Sequence, residues 1–243
     1  MTNWPYPRYI AHRGAGKLAP ENTLTSMRVG RAHGYRMVEF DVKLSADGVA
    51  FLLHDDTVDR TTDSVGRADA HAWSALARLD AGSWHSPAYA GETLPTLVAI
   101  ARWSIANGVA CNIEIKPSPG RESYTGAAIA LDARTLWRSA NPAPLLSSFS
   151  EEALLAARAA VPELPRALLV EQVPPDWEAR LSQLECVALD ADYRQLDVGL
   201  VGDVHQAGYK LLTYTPNDPA VVAKLVAWGV DGIITDAIDV IHP

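Results

Sequence analysis

The stretch YKLLTYTPNDPAVVAKLVAWGVDGIITD, residues 209–236, decides how the chain folds. It contains a short apolar run at 209–213, a segment at 219–228 with the apolar spacing of a helix, and a second apolar run at 232–235. Asp218 stands directly before the helical segment, where a side-chain oxygen can accept from the first free N–H groups of a helix. Strand, helix and strand in this order predict two parallel strands joined by a helix.

The same alternation runs along the whole chain. Apolar runs expected as strands occupy 8–11, 37–41, 110–115, 144–147, 166–170, 186–189, 209–213 and 232–235. Helix-like segments between them include 22–33, 96–107, 124–139, 151–161 and 219–228. Eight such units favour a closed (β/α)8 TIM barrel of the α/β class over an open sheet, and no Gly-rich dinucleotide motif follows the first strand. Because one barrel needs about 250 residues, residues 1–243 are expected to form a single domain.

One irregular stretch, about 49–93, separates the second and third barrel strands. We expect it to be a small insertion at the barrel mouth. Its ring-bearing side chains either line a ligand site or anchor the loop to the barrel rim, and we favour anchoring for each of them. These side chains are His71, Trp73, Trp84, His85 and Tyr89.

The composition of the chain limits the kinds of partner that it can bind. Hydrophobic residues make up 48% of the chain and the formal net charge is -8, so the protein as a whole repels nucleic acid and anionic membranes. No basic leader and no long apolar span is visible, so we expect a cytoplasmic protein without stable membrane association. Cys111 and Cys186 lie in apolar runs and are expected as buried free thiols. The oligomeric state stays open between monomer and homodimer.

Charged residues interrupt the ends of the first three barrel strands. His12 and Arg13 end the first strand. Glu39 and Asp41 end the second strand, and Glu114 and Lys116 end the third. Residues two apart on a strand point to the same side, so the pairs on the second and third strands are each expected to face the barrel interior. The carboxyl ends of the strands form the face on which barrel enzymes carry their active sites.

Three carboxylates in one barrel mouth repel one another unless a cation joins them. Glu39, Asp41 and Glu114 offer only oxygen, which suits one divalent ion, with Mg²⁺ slightly preferred to Ca²⁺. The alternative is that these acids form ion pairs with Arg13 and Lys116 and bind no metal. Arg13 and Lys116 are themselves suited to holding a phosphate.

Two histidines accompany this cluster. His12 ends the first strand, and His54 follows the apolar run 51–53, so both are expected at the same cavity. Histidine titrates near neutral pH, so one imidazole can accept a proton from a hydroxyl while the other donates to a leaving alkoxide.

The residues also resemble a known family. The segments AHRGAGKLAPENTL at 11–24, VEFDV at 38–42, HDDTVDRTTD at 54–63 and EIKP at 114–117 are similar, in order and spacing, to the motifs of glycerophosphodiester phosphodiesterases. LLTYTPND at 211–218 and DGIITD at 231–236 resemble the family's closing strands. The resemblance therefore covers nearly the whole chain.

The resemblance implies a metal-dependent enzyme that hydrolyses glycerophosphodiesters, which are deacylated phospholipids, to sn-glycerol 3-phosphate and an alcohol. In it, Glu39, Asp41 and Glu114 match metal ligands and His12 and His54 match the acid and base. Arg13 and Lys116 match phosphate contacts, while Glu21 and Asn22 are expected to support the site. Tyr214 stands where many members carry tryptophan, so the substrate-binding pocket is expected to differ in shape at Tyr214.

Two other functions stay open at this point. One is a barrel phosphodiesterase similar to phospholipase C or D that acts on intact lipid. The acidic balance and the lack of a basic amphipathic patch disfavour it. The other is a noncatalytic protein that binds a phosphate ligand, which the complete set of acid, base and metal residues disfavours.

Overall fold

The structure, a computed structural model, describes residues 4–243. Eight parallel strands close into a barrel, because the first barrel strand pairs with the last and also with the second, at Ala11 and Val38. A ninth strand, β3, pairs antiparallel with β2. The strands are β1 Tyr9–Ala11, β2 Met37–Leu44, β3 Ala50–Leu52, β4 Ala110–Ile115, β5 Leu145–Ser148, β6 Arg166–Val170, β7 Ala188–Asp192, β8 Lys210–Tyr214 and β9 Gly232–Thr235.

Helices connect the strands on the outside of the barrel. They are α1 Leu24–Ala32, α2 Trp73–Leu76, α3 Leu97–Asn107, α4 Glu122–Leu136, α5 Glu151–Ala160, α6 Trp177–Leu184, α7 Val198–Gln206 and α8 Pro219–Trp228. Strand and helix alternate as predicted, and the (β/α)8 barrel is confirmed. The cap at Asp218 is present, since its side chain accepts from the N–H of Ala220, and α8 ends at Gly229 with φ of +96°.

Two of the expected strands were wrong by more than one residue at an end. β2 continues to Leu44 because β3 folds back along it as a hairpin partner. β7 begins at Ala188 and extends to Asp192, so Asp190 and Asp192 are strand residues in spite of their charge. Both strands therefore carry polar side chains farther along the barrel than the apolar runs indicated.

The amino-terminal half of the barrel interior is filled with apolar side chains. This inner cluster comprises Tyr6, Ile10, Met37, Leu145, Ala167, Ala188, Leu212 and Ile234. Burying a side chain of the size of Ile, Leu or Met stabilises the fold by about 1.5–3 kcal/mol. These side chains form a packed core inside the barrel, and the charged residues that the sequence singled out lie nearer the carboxyl ends of the strands.

The segment between β2 and β4 packs against the loop that follows β1. Tyr89 donates to the carbonyl of Leu18 at 3.1 Å, and a ring nitrogen of His85 lies 3.0 Å from the carbonyl oxygen of Lys17. The Trp73 ring packs against Phe51 with 5.9 Å between centroids. The contacts of Tyr89 and His85 agree with the expected anchoring role, whereas the Trp73 contact lies within the insertion itself.

Two further expectations concern the rest of the chain. Cys111 and Cys186 are buried and free, as expected. Within residues 4–243, no helix combines the length and the apolar character that crossing a bilayer requires.

Candidate active site

A cavity of about 160 Å³ opens among the carboxyl ends of the barrel strands. Seven of the side chains that the sequence singled out lie in its wall, and Asp41 is buried beside them. The predicted residues in the wall are His12, Arg13, Glu39, His54, Glu114, Lys116 and Tyr214. The barrel therefore brings together residues up to about two hundred positions apart in the sequence.

The three acids form one compact group. Glu39 and Asp41 lie on β2 and Glu114 lies on β4, where Asp41 and Glu114 are paired in register. One carboxylate oxygen from each lies within 4.8 Å of the others, and all three residues are buried. Burial, and then the charges of Asp41 and Glu114, raise the pKa of Glu39 well above its usual value. Burial, and then the charge of Asp41, raise the pKa of Glu114 to about 7. This group is costly to ionise unless a cation binds it.

Basic groups partly compensate the acids. Arg13 Nε lies 3.4 Å from Asp41 Oδ2, and the backbone N–H of Arg13 donates to Glu39 Oε2 at 3.0 Å. Lys116 Nζ lies 3.1 Å from Glu114 Oε1. Burial alone would raise the pKa of Asp41, but Arg13, His54 and Lys116 outweigh it and hold the pKa below its ordinary value.

The ion pairs expected in the metal-free alternative are thus present, but among residues 4–243 they leave Glu39 Oε1 and Glu114 Oε1 without a hydrogen-bond partner, and only Glu114 Oε1 has a cation beside it, Lys116 Nζ at 3.1 Å. Glu39 Oε1 is buried and accepts no hydrogen bond from any residue in 4–243. A buried carboxylate oxygen without a donor is unfavourable. Together with the all-oxygen donor set, this unpartnered oxygen fits a hard divalent cation held by Glu39, Asp41 and Glu114.

Each of the two histidines is fixed by an aspartate. His12 Nδ1 lies 2.6 Å from Asp236 Oδ1, and His54 Nδ1 lies 2.7 Å from Asp55 Oδ1. A carboxylate accepts the Nδ1 proton, so Nε2 of each ring is left for chemistry. His12 Nε2 lies 3.9 Å from Glu39 Oε2, and Lys116 Nζ lies 3.1 Å from His54 Nε2. Burial, and then Arg13 and Lys116, lower the pKa of His54, while Asp41 and Asp55 oppose that shift.

Asp236 and Asp55 are hydrogen-bond partners of the two histidines that sequence reasoning missed. Both lie inside quoted motifs, and Asp55 directly follows His54, which is the signal that could have found it. Arg60 was also missed. It donates to Asp55 at 2.6 Å and to Glu21 at 2.8 Å, and so ties the loop after β3 to the loop after β1.

The two supporting residues expected near Arg13 behave as predicted in position. Glu21 accepts from Arg13 Nη1 at 2.8 Å. Asn22 donates to Asp41 Oδ2 at 2.7 Å and accepts from the N–H of Asp41 at 3.1 Å. Asn22 has φ of +58°, a left-handed conformation that asparagine tolerates better than most residues. Its amide fixes the orientation of the Asp41 carboxylate.

Tyr214 offers its ring to the cavity. Its hydroxyl donates to the carbonyl of Val170 at 2.9 Å, and its ring meets Phe149 edge-on at 5.8 Å. The hydroxyl is therefore engaged within the protein, and an aromatic wall is what the residue contributes.

Comparisons with known proteins agree with this geometry. The model of the glycerophosphoryl diester phosphodiesterase family matches residues 12–240. The glycerophosphodiester phosphodiesterase of Caldanaerobacter subterraneus is 32% identical over 93% of this chain and 93% of its own length. That of Bacillus subtilis is 29% identical over 96% of this chain and 84% of its own.

Solved structures agree as well. An Oleispira antarctica phosphodiesterase, determined in complex with its product sn-glycerol-3-phosphate, superposes with a TM-score of 0.89 at 38% identity, covering 96% of this chain and 94% of that one. The glycerophosphodiester phosphodiesterase of Agrobacterium tumefaciens superposes with a TM-score of 0.81 at 26% identity over 96% and 97%. The chain therefore belongs to the glycerophosphoryl diester phosphodiesterase family and is an enzyme of the phosphoric diester hydrolase class.

Proposed function

We propose that this enzyme hydrolyses glycerophosphodiesters to sn-glycerol 3-phosphate and an alcohol, with a divalent cation and with His12 and His54 as acid and base. The observation that carries the proposal is the pair of imidazoles, each with Nδ1 bonded to a carboxylate, in the wall of a cavity that also borders the acidic group. Acid and base groups on a shared cavity are what the cleavage of a phosphodiester requires.

Glu39, Asp41 and Glu114 would hold the cation, and Mg²⁺ remains slightly preferred to Ca²⁺. When bound, the cation supplies Lewis acidity toward a phosphoryl oxygen and a substrate hydroxyl. Arg13 and Lys116 border the same cavity, and their charges neutralise the charge that develops on the phosphoryl oxygens.

The proposed reaction has two steps. One histidine takes the proton from the glycerol 2-hydroxyl as its oxygen forms a bond to phosphorus. The other histidine donates a proton to the head-group oxygen as its bond to phosphorus breaks. Water then opens the resulting cyclic phosphate with the two histidine roles exchanged, which restores both protonation states.

The cavity favours a small-molecule substrate over the two alternative functions. Its volume of about 160 Å³ suits a phosphate with a short polyol and leaves no room for acyl chains inside the cavity. Each histidine contacts an aspartate through Nδ1, an arrangement that suits proton transfer and that a protein that only binds phosphate does not need. A cytoplasmic location and a monomeric or homodimeric state remain predictions.

The test is the release of sn-glycerol 3-phosphate from glycerophosphocholine by enzyme treated with chelator and then given Mg²⁺ or Ca²⁺. We expect activity only after a cation is restored, and its loss in His12→Ala and His54→Ala. His205→Ala is the matched control, because His205 also pairs with an aspartate, Asp231 at 2.8 Å, but lies outside the cavity wall. Cation-independent turnover, or full activity in either active-site variant, would contradict the proposal.

A further inference from the structure

Three polar side chains lie in the cavity wall beside the acidic group and have no role in the chemistry described above. They are Asn112 on β4, Ser147 on β5 and Asp190 on β7. Each is at most 1% exposed. Neither amide atom of Asn112, nor the Ser147 hydroxyl, nor either oxygen of Asp190 has a hydrogen-bond partner within the described part of the chain.

Such a set needs an explanation. An unpartnered buried polar group carries a desolvation cost of about 1–3 kcal/mol, so native proteins rarely keep several together without something to bond to them. Strand pairing aligns two of the three residues with the acidic group. Asn112 is in register with Glu39, and Ser147 is in register with Glu114, so both lie on the strands that carry the acids or next to them.

The chemistry of the three groups identifies what they bind. No Lys, Arg or His in residues 4–243 forms an ion pair with Asp190, and Glu39, Asp41 and Glu114 are the only potential metal-binding group found there. An amide and a hydroxyl both donate and accept, which complements a neutral hydroxyl better than an ion. Either protonation state of the Asp190 carboxyl accepts a hydrogen bond from a hydroxyl, so the assignment rests on its position and not on its charge.

The remaining walls fit the carbon part of such a ligand. Leu169, Ile234 and Phe149 border the same cavity. Its volume of about 160 Å³ exceeds the share of about 30 Å³ that one water occupies, so it admits a molecule of several heavy atoms.

We propose that Asn112, Ser147 and Asp190 form a polar floor that binds the hydroxyl groups of the glycerol moiety and so selects a phosphodiester of a short polyol. This inference rests on the proposed function, because it takes the phosphate to bind in the same cavity, beside the acidic group and the basic side chains. It assigns these three residues to substrate specificity and not to proton transfer.

Binding without turnover separates this inference from the proposed function. Calorimetric titration in the presence of Mg²⁺ compares sn-glycerol 3-phosphate with inorganic phosphate, which lacks the polyol. We expect the wild type to prefer glycerol 3-phosphate. Ser147→Ala removes one hydroxyl without adding bulk. It should lower the affinity for glycerol 3-phosphate roughly three- to tenfold, while the affinity for phosphate should stay within about twofold of the wild type.

The neighbouring serine provides a matched control. Ser148 is also fully buried on β5, but its hydroxyl donates to the carbonyl of Ile115 at 2.7 Å and it does not line the cavity. Ser148→Ala should leave the ratio of the two affinities unchanged. Asp190→Leu should lower that ratio as Ser147→Ala does, whereas Asp190→Asn, which keeps the shape and hydrogen-bonding capacity, should preserve it.

Three results would overturn the polar floor. The wild type could bind both ligands equally well, or Ser147→Ala could leave the ratio of the two affinities as in the wild type. Ser147→Ala and Asp190→Leu could also lower the affinity for both ligands by the same factor. A thermal melt of each variant identifies loss of fold, which would weaken both ligands alike. Glycerol 3-phosphate preference that depends on Ser147 in an enzyme inactive toward diesters would support the floor and refute only the proposed function.

Discussion

The contact between His12 and Asp236 permits a quantitative prediction. Asp236 Oδ1 lies 2.6 Å from His12 Nδ1, and Asp236 Oδ2 accepts from Asn217 Nδ2 at 3.2 Å. The Asn217 amide cannot turn over freely, because its oxygen accepts from the Thr235 hydroxyl at 3.0 Å and from the N–H of Asp236 at 2.9 Å. Asp236→Asn therefore places an NH₂ group against one of two donors, His12 Nδ1–H or Asn217 Nδ2.

Either orientation removes support from the imidazole. If the nitrogen of the introduced amide side chain faces His12, the imidazole loses its acceptor and changes tautomer. If that nitrogen faces Asn217, a neutral amide oxygen replaces the carboxylate that stabilises the protonated imidazole. A hydrogen bond to a charged group contributes about 1.5–3 kcal/mol. The corresponding loss in kcat is roughly 10- to 150-fold. KM should stay within about threefold, since Asp236 is a positioning residue and does not hold the phosphate.

The assay is initial-rate hydrolysis of glycerophosphocholine with Mg²⁺, with a melting curve for each variant. Asp231→Asn is the matched control, because Asp231 Oδ2 lies 2.8 Å from His205 Nε2 outside the cavity wall. Its kcat per folded molecule should equal that of the wild type. A kcat for Asp236→Asn within threefold of the wild type, beside an inactive His12→Ala, would refute the assignment of Asp236 as the group that orients His12.

Three further predictions concern the cation and the second histidine. Asn22→Ala removes both hydrogen bonds to Asp41 and should weaken the affinity for the divalent cation about 10- to 100-fold, measured by titration of activity with cation. Burial, and then Asp41, raise the pKa of Glu114 to about 7. Without the cation, the folded protein therefore binds more protons than the unfolded chain, and its melting temperature should fall as pH rises through about 7. The stabilisation gained on adding Mg²⁺ should grow over the same pH range, and a pH-independent gain would contradict it. Asp55→Asn weakens the hydrogen bond that raises the pKa of His54, so the limb of the kcat profile that reports His54 should move to lower pH; an unmoved profile would contradict that assignment.

The fold was predictable because its signal is local and repeated. The apolar spacing and the cap at Asp218 predicted the helix at 219–228, which the structure contains as Pro219–Trp228. The prediction erred where polar residues continue a strand, at Asp190 and Asp192. These residues stay in the strand because pairing with β8 satisfies the backbone whatever the side chain, as the pairing of Asp190 with Leu212 shows.

The positions of the site residues followed from the rule that barrel strands present their ends on one face. This rule alone predicts that His12, Glu39 and Glu114 lie close together. The residues that hold the site residues and their neighbours in place were not predictable in the same way. Asp236 is 224 residues from His12, and Arg60 is 39 residues from Glu21, so those contacts depend on how loops pack.

The polar floor could not be inferred from sequence at all. Asn112, Ser147 and Asp190 are ordinary polar residues within apolar strands, and a hydrogen-bonded role is the usual outcome for such residues. Only the three-dimensional arrangement shows that they line the cavity and have no hydrogen-bond partner among residues 4–243.

The most direct test of the central claim follows glycerophosphocholine by phosphorus NMR in one sample, first with chelator and then with Mg²⁺ in excess. Hydrolysis at the head-group side gives sn-glycerol 3-phosphate and choline, whereas hydrolysis at the glycerol side gives phosphocholine. The account predicts no change under chelator, and a glycerol 3-phosphate signal that grows once the cation is added. Accumulation of phosphocholine, turnover under chelator, or no turnover after cation is added to folded protein would contradict it.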